Sequence, residues 1–147
     1  MFITELETCQ VADMDIGLTD TKANTGHSDL SRIRWMAPES LLHGHYSPAS
    51  DVWSYGITIW EMLNPTSVPY GDSDARQCLA HITKGYVLAV SPAACPDKVG
   101  KIMRACWSQS PTKRPSFFYI SNLLSSVPLT GTMKNLLSGK DFVQYHR

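Results

Sequence analysis

The sequence predicts a mainly α domain of about five core helices, with at most a two-strand β ribbon at its N-terminus. Three observations carry this. Apolar residues recur at helical spacing in successive stretches between residues 38 and 127. Each stretch is bounded by a capping residue, a glycine or a proline. Short β-tolerant runs occur at the start of the chain, at residues 2–3 and 9–12. A chain of 147 residues is one domain's worth, long enough to bury roughly 70% of its unfolded surface.

The elements follow in order. The runs at 2–3 and 9–12 flank Thr4-Glu5-Leu6-Glu7, which predicts two short strands with a tight connection. Residues 19–32 are polar and include Gly26, so they read as an irregular loop. Pro38 suits the first turn of a short helix, Glu39 to Leu42, which His43-Gly44-His45 ends. Either Ser47, followed by Pro48, or Ser50 can cap the next helix. There Val52, Tyr55, Gly56, Ile59, Trp60 and Leu63 form one stripe, with Trp53 and Ile57 apolar off it. A helix apolar nearly all round is expected at the centre. Asn64-Pro65 stops it.

Pro69-Tyr70-Gly71-Asp72 reads as a turn. Asp74 to Lys84 reads as a helix with Cys78, Leu79 and Ile82 inward and Gly85 at its end. Tyr86 to Pro96 is an extended connection. Asp97 to Ser108 repeats the helical spacing through Val99, Ile102, Met103, Cys106 and Trp107. Ser116 can cap a last helix with Phe117, Ile120, Leu124 and Val127 on one side, closed by Pro128. Residues 129–147 form a weakly patterned tail with a short helix expected around Met133–Leu137.

The bulk properties exclude several classes. Thirteen basic and thirteen acidic residues cancel, so no net field points to nucleic acid. No apolar run reaches the ~18 residues of a membrane span, and the first residues lack the basic and apolar regions of a signal peptide. Cys9, Cys78, Cys95 and Cys106 have neither C-x-x-C nor metal-ligand spacing and read as reduced thiols. His43 and His45 read as solvated loop residues, not ligands.

Three constellations carry chemistry. Asp15-Ile16-Gly17-Leu18 follows the second candidate strand. A hard cation wants such a carboxylate, and glycine lets the backbone turn beside it. Ala37-Pro38-Glu39 closes the polar loop, and Arg114 follows the fourth helix in Arg114-Pro115-Ser116-Phe117. A buried carboxylate needs a cationic partner. Asp51 starts the central helix, where the helix dipole favours a negative charge.

This order of motifs resembles the large, C-terminal lobe of a eukaryotic protein kinase over residues 1 to about 128, with an activation segment at 15–39. The resemblance implies that Asp15 meets magnesium on the ATP phosphates, with Asp13 as an alternative register. It implies that Glu39 pairs with Arg114, and that Asp51 anchors a catalytic loop. Ile33, Arg34, Trp35 and Met36 would receive the substrate beside the phosphorylated residue. Trp35-Met36, Cys106-Trp107 and Arg114-Pro115-Ser116-Phe117 are similar to tyrosine kinases. Met103 to Trp107 and Ala94-Cys95-Pro96 are most similar to receptor tyrosine kinases of the neurotrophin, muscle-specific and orphan-receptor kind. Arg32 stands where those kinases usually carry proline, and residues 15–39 hold no tyrosine. Thr19, Thr21, Thr25, Ser28 and Ser31 remain as candidate phosphorylation sites. Tyrosine-kinase-like Ser/Thr kinases share Arg34 to Glu39 and are the alternative family.

The implied activity is transfer of the ATP γ-phosphoryl to protein tyrosine, with ATP and Mg2+ as cofactors of the complete kinase. The implied partners are a protein substrate or docking protein and a missing N-lobe, in the cytoplasm or the cytoplasmic part of a membrane receptor. The 147 residues contain neither His-Arg-Asp nor G-x-G-x-x-G. Without a base and a phosphate cradle, the chain alone is expected to be inactive and to bind no nucleotide tightly. The competing expectation is a truncated or pseudokinase-like module that docks proteins through the surface of helix 74–84. An apolar patch around Ile3, Val11 and Ile16 is expected to promote self-association.

Overall fold

The structure, a computed structural model, describes residues 2–3, 9–10, 30–90 and 95–127. The chain divides into one unit of Met1–Ser28 with Pro128–Arg147 and a second of Asp29–Val127. In the first unit, β1 (Phe2–Ile3) and β2 (Cys9–Gln10) pair antiparallel, with Phe2 opposite Gln10 and Ile3 opposite Cys9. The expectations for Asp13, Asp15, the tail helix, and Val11 and Ile16 of the apolar patch around Ile3 lie outside the described residues.

The second unit is helical. It holds a 3₁₀ helix (Leu30–Trp35), then α1 (Pro38–His43), α2 (Pro48–Leu63), α3 (Ala75–Thr83), α4 (Asp97–Cys106), a 3₁₀ turn (Pro111–Lys113) and α5 (Phe117–Ser125). Local chemistry sets these limits. Pro38 occupies the first turn of α1, and Gly44, at φ 64°, closes it by donating to the carbonyls of Glu39 and Ser40. Both candidate caps of α2 are used. Ser47 accepts from the Ser50 amide at 3.3 Å, and the Ser50 hydroxyl accepts from the Ser47 amide at 2.8 Å. Asp74 and Gln77 form the same reciprocal box on α3, at 2.8 and 2.9 Å. Ser116 caps α5 by accepting from the Tyr119 amide at 3.2 Å.

Four expectations need correction. Leu30 to Arg32 belong to the 3₁₀ helix and not to an irregular loop; its polar sequence gives no periodic signal, and distant anchors described below hold it. The buried side of α2 is turned relative to the expected stripe. Trp53 and Ile57 are buried to 1% and 0% exposure, while Tyr55, Ile59 and Leu63 are only half-buried. The turn follows α4, which packs on α2 at Gly56. α4 ends at Cys106, with Trp107 as its cap, two residues short of Ser108. On α5, Ile120 is buried but Phe117 remains 42% exposed; its ring packs edge-on at 5.5 Å to Tyr55, itself only half-buried.

The core of this unit centres on Trp53 and Ile57 of α2, Ile82 of α3, Met103 of α4 and Ile120 of α5. Cys78, Cys95 and Cys106 are buried free thiols. Burial pushes the Cys106 thiol up to about 11, which suits packing over reactivity.

Candidate functional site

The site is built outward from Arg114, whose side chain is fully buried. Its guanidinium forks onto Glu39: Nη1 donates to Oε1 at 2.6 Å and Nη2 to Oε2 at 2.8 Å. Nη1 also donates to the Ala49 carbonyl at 2.8 Å, and Nε to the Ser108 carbonyl at 2.8 Å. The guanidinium lies over the Trp53 ring, 5.1 Å from its centroid. One cation thereby ties α1, the start of α2 and the end of α4 together. Burial pushes the Glu39 carboxyl up, but the hydrogen bonds and charge of Arg114 outweigh it. Its pKa therefore lies below the ordinary 4.5.

The expected substrate segment lies just before this pair, and its side chains are engaged within the lobe. Ile33 is buried at 8% exposure. Arg34 donates to three carbonyls of the following turn: Pro69, Gly71 at 2.9 Å and Ser73 at 2.7 Å. That turn is demanding. Tyr70 and Gly71 sit at φ 63° and 60°, a region that disfavours any residue with a Cβ. Convergent carbonyls repel one another, and the Arg34 cation relieves this while holding the turn. Removing it (Arg34→Ala) takes away charged hydrogen bonds of about 1.5–3 kcal/mol each. The Gly71 and Ser73 amides, which bond Val68 and Tyr70 carbonyls within the turn, should then exchange hydrogen at least about tenfold faster. Unchanged exchange at both amides in an NMR time course would refute the clamp.

Trp35 is fixed at both ends. Its Nε1 donates to Glu61 Oε2 at 2.6 Å, and its carbonyl accepts from Ser54 Oγ at 2.7 Å. Burial pushes the Glu61 carboxyl up, and the Trp35 bond opposes only part of that rise. Met36 is half-buried, and its amide donates to the Ile33 carbonyl at 3.2 Å. Asp51 is exposed in the first turn of α2. The structure thus brings Glu39 and Arg114 together, and anchors Arg34 and Trp35 to α2 and the turn after it.

Sequence reasoning missed Glu61, Ser54 and the carbonyls of 69–73 as supports. The one available signal was Tyr70-Gly71 after Pro69, a dipeptide that points to a strained turn but not to Arg34 as its partner. Among the described residues, no group of three or more His, Cys, Asp or Glu could hold a metal, and no helix is long and apolar enough to cross a membrane.

Comparison with known proteins gives this geometry a context. Residues 1–124 match the family described as protein tyrosine and serine/threonine kinase. The chain is 42% identical over 98 residues to the proto-oncogene tyrosine-protein kinase ROS of Gallus gallus, covering 67% of this chain and 4% of that protein. It is 36% identical over 119 residues to the putative molluscan insulin-related peptide(s) receptor of Lymnaea stagnalis, covering 78% of this chain and 7% of the receptor. It is 38% identical over 92 residues to the inactive tyrosine-protein kinase 7 of Homo sapiens, covering 63% of this chain and 9% of that protein. The chain thus spans a small part of the length of each of these relatives.

Proposed function

Because the chain belongs to the protein tyrosine and serine/threonine kinase family, we propose that it forms the large lobe of a protein tyrosine kinase, which transfers the ATP γ-phosphoryl to protein tyrosine when the domain is complete. The observation that carries this reading is the Arg114–Glu39 fork directly after an anchored segment, Ile33 to Met36. Phosphoryl transfer depends on holding an acceptor hydroxyl in line, so catalysis is mostly positioning and electrostatics. A rigid floor under the acceptor is what this lobe supplies. Arg114 fixes α1, Arg34 fixes the turn at 69–73, and Trp35 is held to α2 through Glu61. The segment between these anchors is the part that the family resemblance sets against a protein substrate.

ATP supplies the phosphoryl group, and Mg2+ neutralises charge as it moves. By family resemblance Asp15, or Asp13 in the other register, would hold the metal, and Asp51 would anchor the catalytic loop. In this reading the part played by Ile33 to Met36 and their anchors is to bind and orient the acceptor. A place in the cytoplasm, or in the cytoplasmic part of a membrane receptor, belongs to the same reading, and similarity to a protein named a receptor favours the second.

A second reading, a non-catalytic protein-binding lobe, is favoured by one observation: similarity to a kinase named inactive. A chimera separates the two. The corresponding large-lobe segment of an active tyrosine kinase domain is replaced by residues 32–126 of this chain. The chimera is then given ATP, magnesium and a Glu/Tyr copolymer beside a Ser/Thr protein substrate. Phosphotyrosine is the expected product. Phosphoserine or phosphothreonine alone would move the chain to the Ser/Thr branch. A folded chimera with no product would establish the non-catalytic reading.

A further inference from the structure

A second surface lies away from the substrate segment. α4 and α5 run antiparallel, with Lys98 near the end of α5, where its Nζ bonds Ser126 Oγ at 3.4 Å. Between them opens a groove of about 350 Å3. Its floor is apolar, built from Ile102, Ala105, Ile120 and Leu123, and Lys98 and Lys101 stand along one wall. No carboxylate lines it. Tyr119 of α5 also lines it and is 56% exposed. Large exposed aromatics next to an apolar groove are costly in water and mark interaction surfaces.

We propose that this groove docks an acidic amphipathic helix from another protein. The groove runs between two helices and offers no sheet edge, so a strand has nothing to pair with. The lysines are three residues apart on α4 and lie on one face. A guest helix with carboxylates at the same spacing would meet both while its apolar face filled the floor. None of the described helices carries two carboxylates within two turns, so none of them supplies this guest. The proposal is independent of phosphotransfer, and a catalytically silent chain would still show it.

The probes are two fluorescein-labelled, side-chain-stapled helices of about fourteen residues. One places two glutamates three residues apart beside a leucine stripe; the other has both glutamates replaced by lysine. The full chain is titrated into each and anisotropy is read at low salt. The glutamate peptide should bind about tenfold more tightly or better, with the advantage shrinking as salt is raised. Lys98→Glu with Lys101→Glu, two exposed positions, should reverse the preference. Ala105→Trp should fill the groove and weaken both peptides. Equal binding of the two peptides, no binding of the glutamate peptide at millimolar concentration, or an unchanged double variant would overturn the proposal. So would lysine-dependent binding to phosphatidylserine vesicles in the absence of peptide binding, which would assign the surface to a lipid headgroup.

Discussion

Replacing Arg114 with alanine is expected to lower the unfolding free energy by about 3–5 kcal/mol. The loss exceeds that of a surface ion pair because the arginine side chain is fully buried and Glu39 retains only 15% exposure. Removing the cation strands a carboxylate in a low dielectric and orphans the carbonyls of Ala49 and Ser108. Arg114→Lys should recover only part of the loss, since an ammonium cannot reproduce the two-pronged fork. Urea denaturation followed by tryptophan fluorescence measures both variants. A loss below about 1 kcal/mol for the alanine variant would place the pair among solvated contacts and remove its structural role.

The same pair sets a pH dependence. The folded-state pKa of Glu39 is depressed below its ordinary 4.5 by Arg114, against the upward push of burial. Its contribution is therefore fully present above the unfolded value and is lost as pH falls through the folded one. Glu61 acts in the opposite sense. Its raised pKa makes a contribution present below the ordinary value and lost as pH rises through the folded one. Glu61→Gln should remove the decline above 4.5 and leave the acid limb, whereas Glu39→Gln should flatten the acid limb.

The second large effect is expected at Gly56. A Cβ there would lie 2.7 Å from Trp107 Nε1 and 2.8 Å from Cys106 Cβ, both closer than van der Waals contact allows. Gly56→Ala should destabilise by about 1–3 kcal/mol through overpacking, although alanine is the better helix former by nearly 1 kcal/mol. A double variant with Cys106→Gly removes one of the two clashing atoms. It should cost less than the sum of the single changes, and the coupling isolates the α2–α4 contact. If Gly56→Ala proved stabilising, packing at this point would be looser than the structure holds, and propensity would have won.

How much of this was legible differs from residue to residue. The limits of α1, α2, α3 and α5 could be read from Pro38, Ser47 with Ser50, Asp74 and Ser116, because a cap acts on amides within its own turn. Glu39 and Arg114 could be matched only through the order of motifs along the chain. Nothing local in either residue names the other, 75 positions away. The motif around Arg34 points to a substrate by resemblance alone. Its guanidinium is engaged by carbonyls 35 to 39 residues further on, a partner no periodicity can reveal. Trp35 and Glu61, 26 residues apart, are the same case.

The sequence by itself determined that the chain is helical, where most helices start and stop, and which family its motifs follow. Capping, proline geometry and apolar spacing are short-range, and they survive in the order of residues. Tertiary structure decided which face of α2 is buried, that residues 30–35 close into a 3₁₀ helix, and that Arg34 serves the turn at 69–73. Those outcomes depend on how closely α4 approaches Gly56 and on carbonyls and carboxylates brought in from distant positions. Such contacts exist only once the helices have packed.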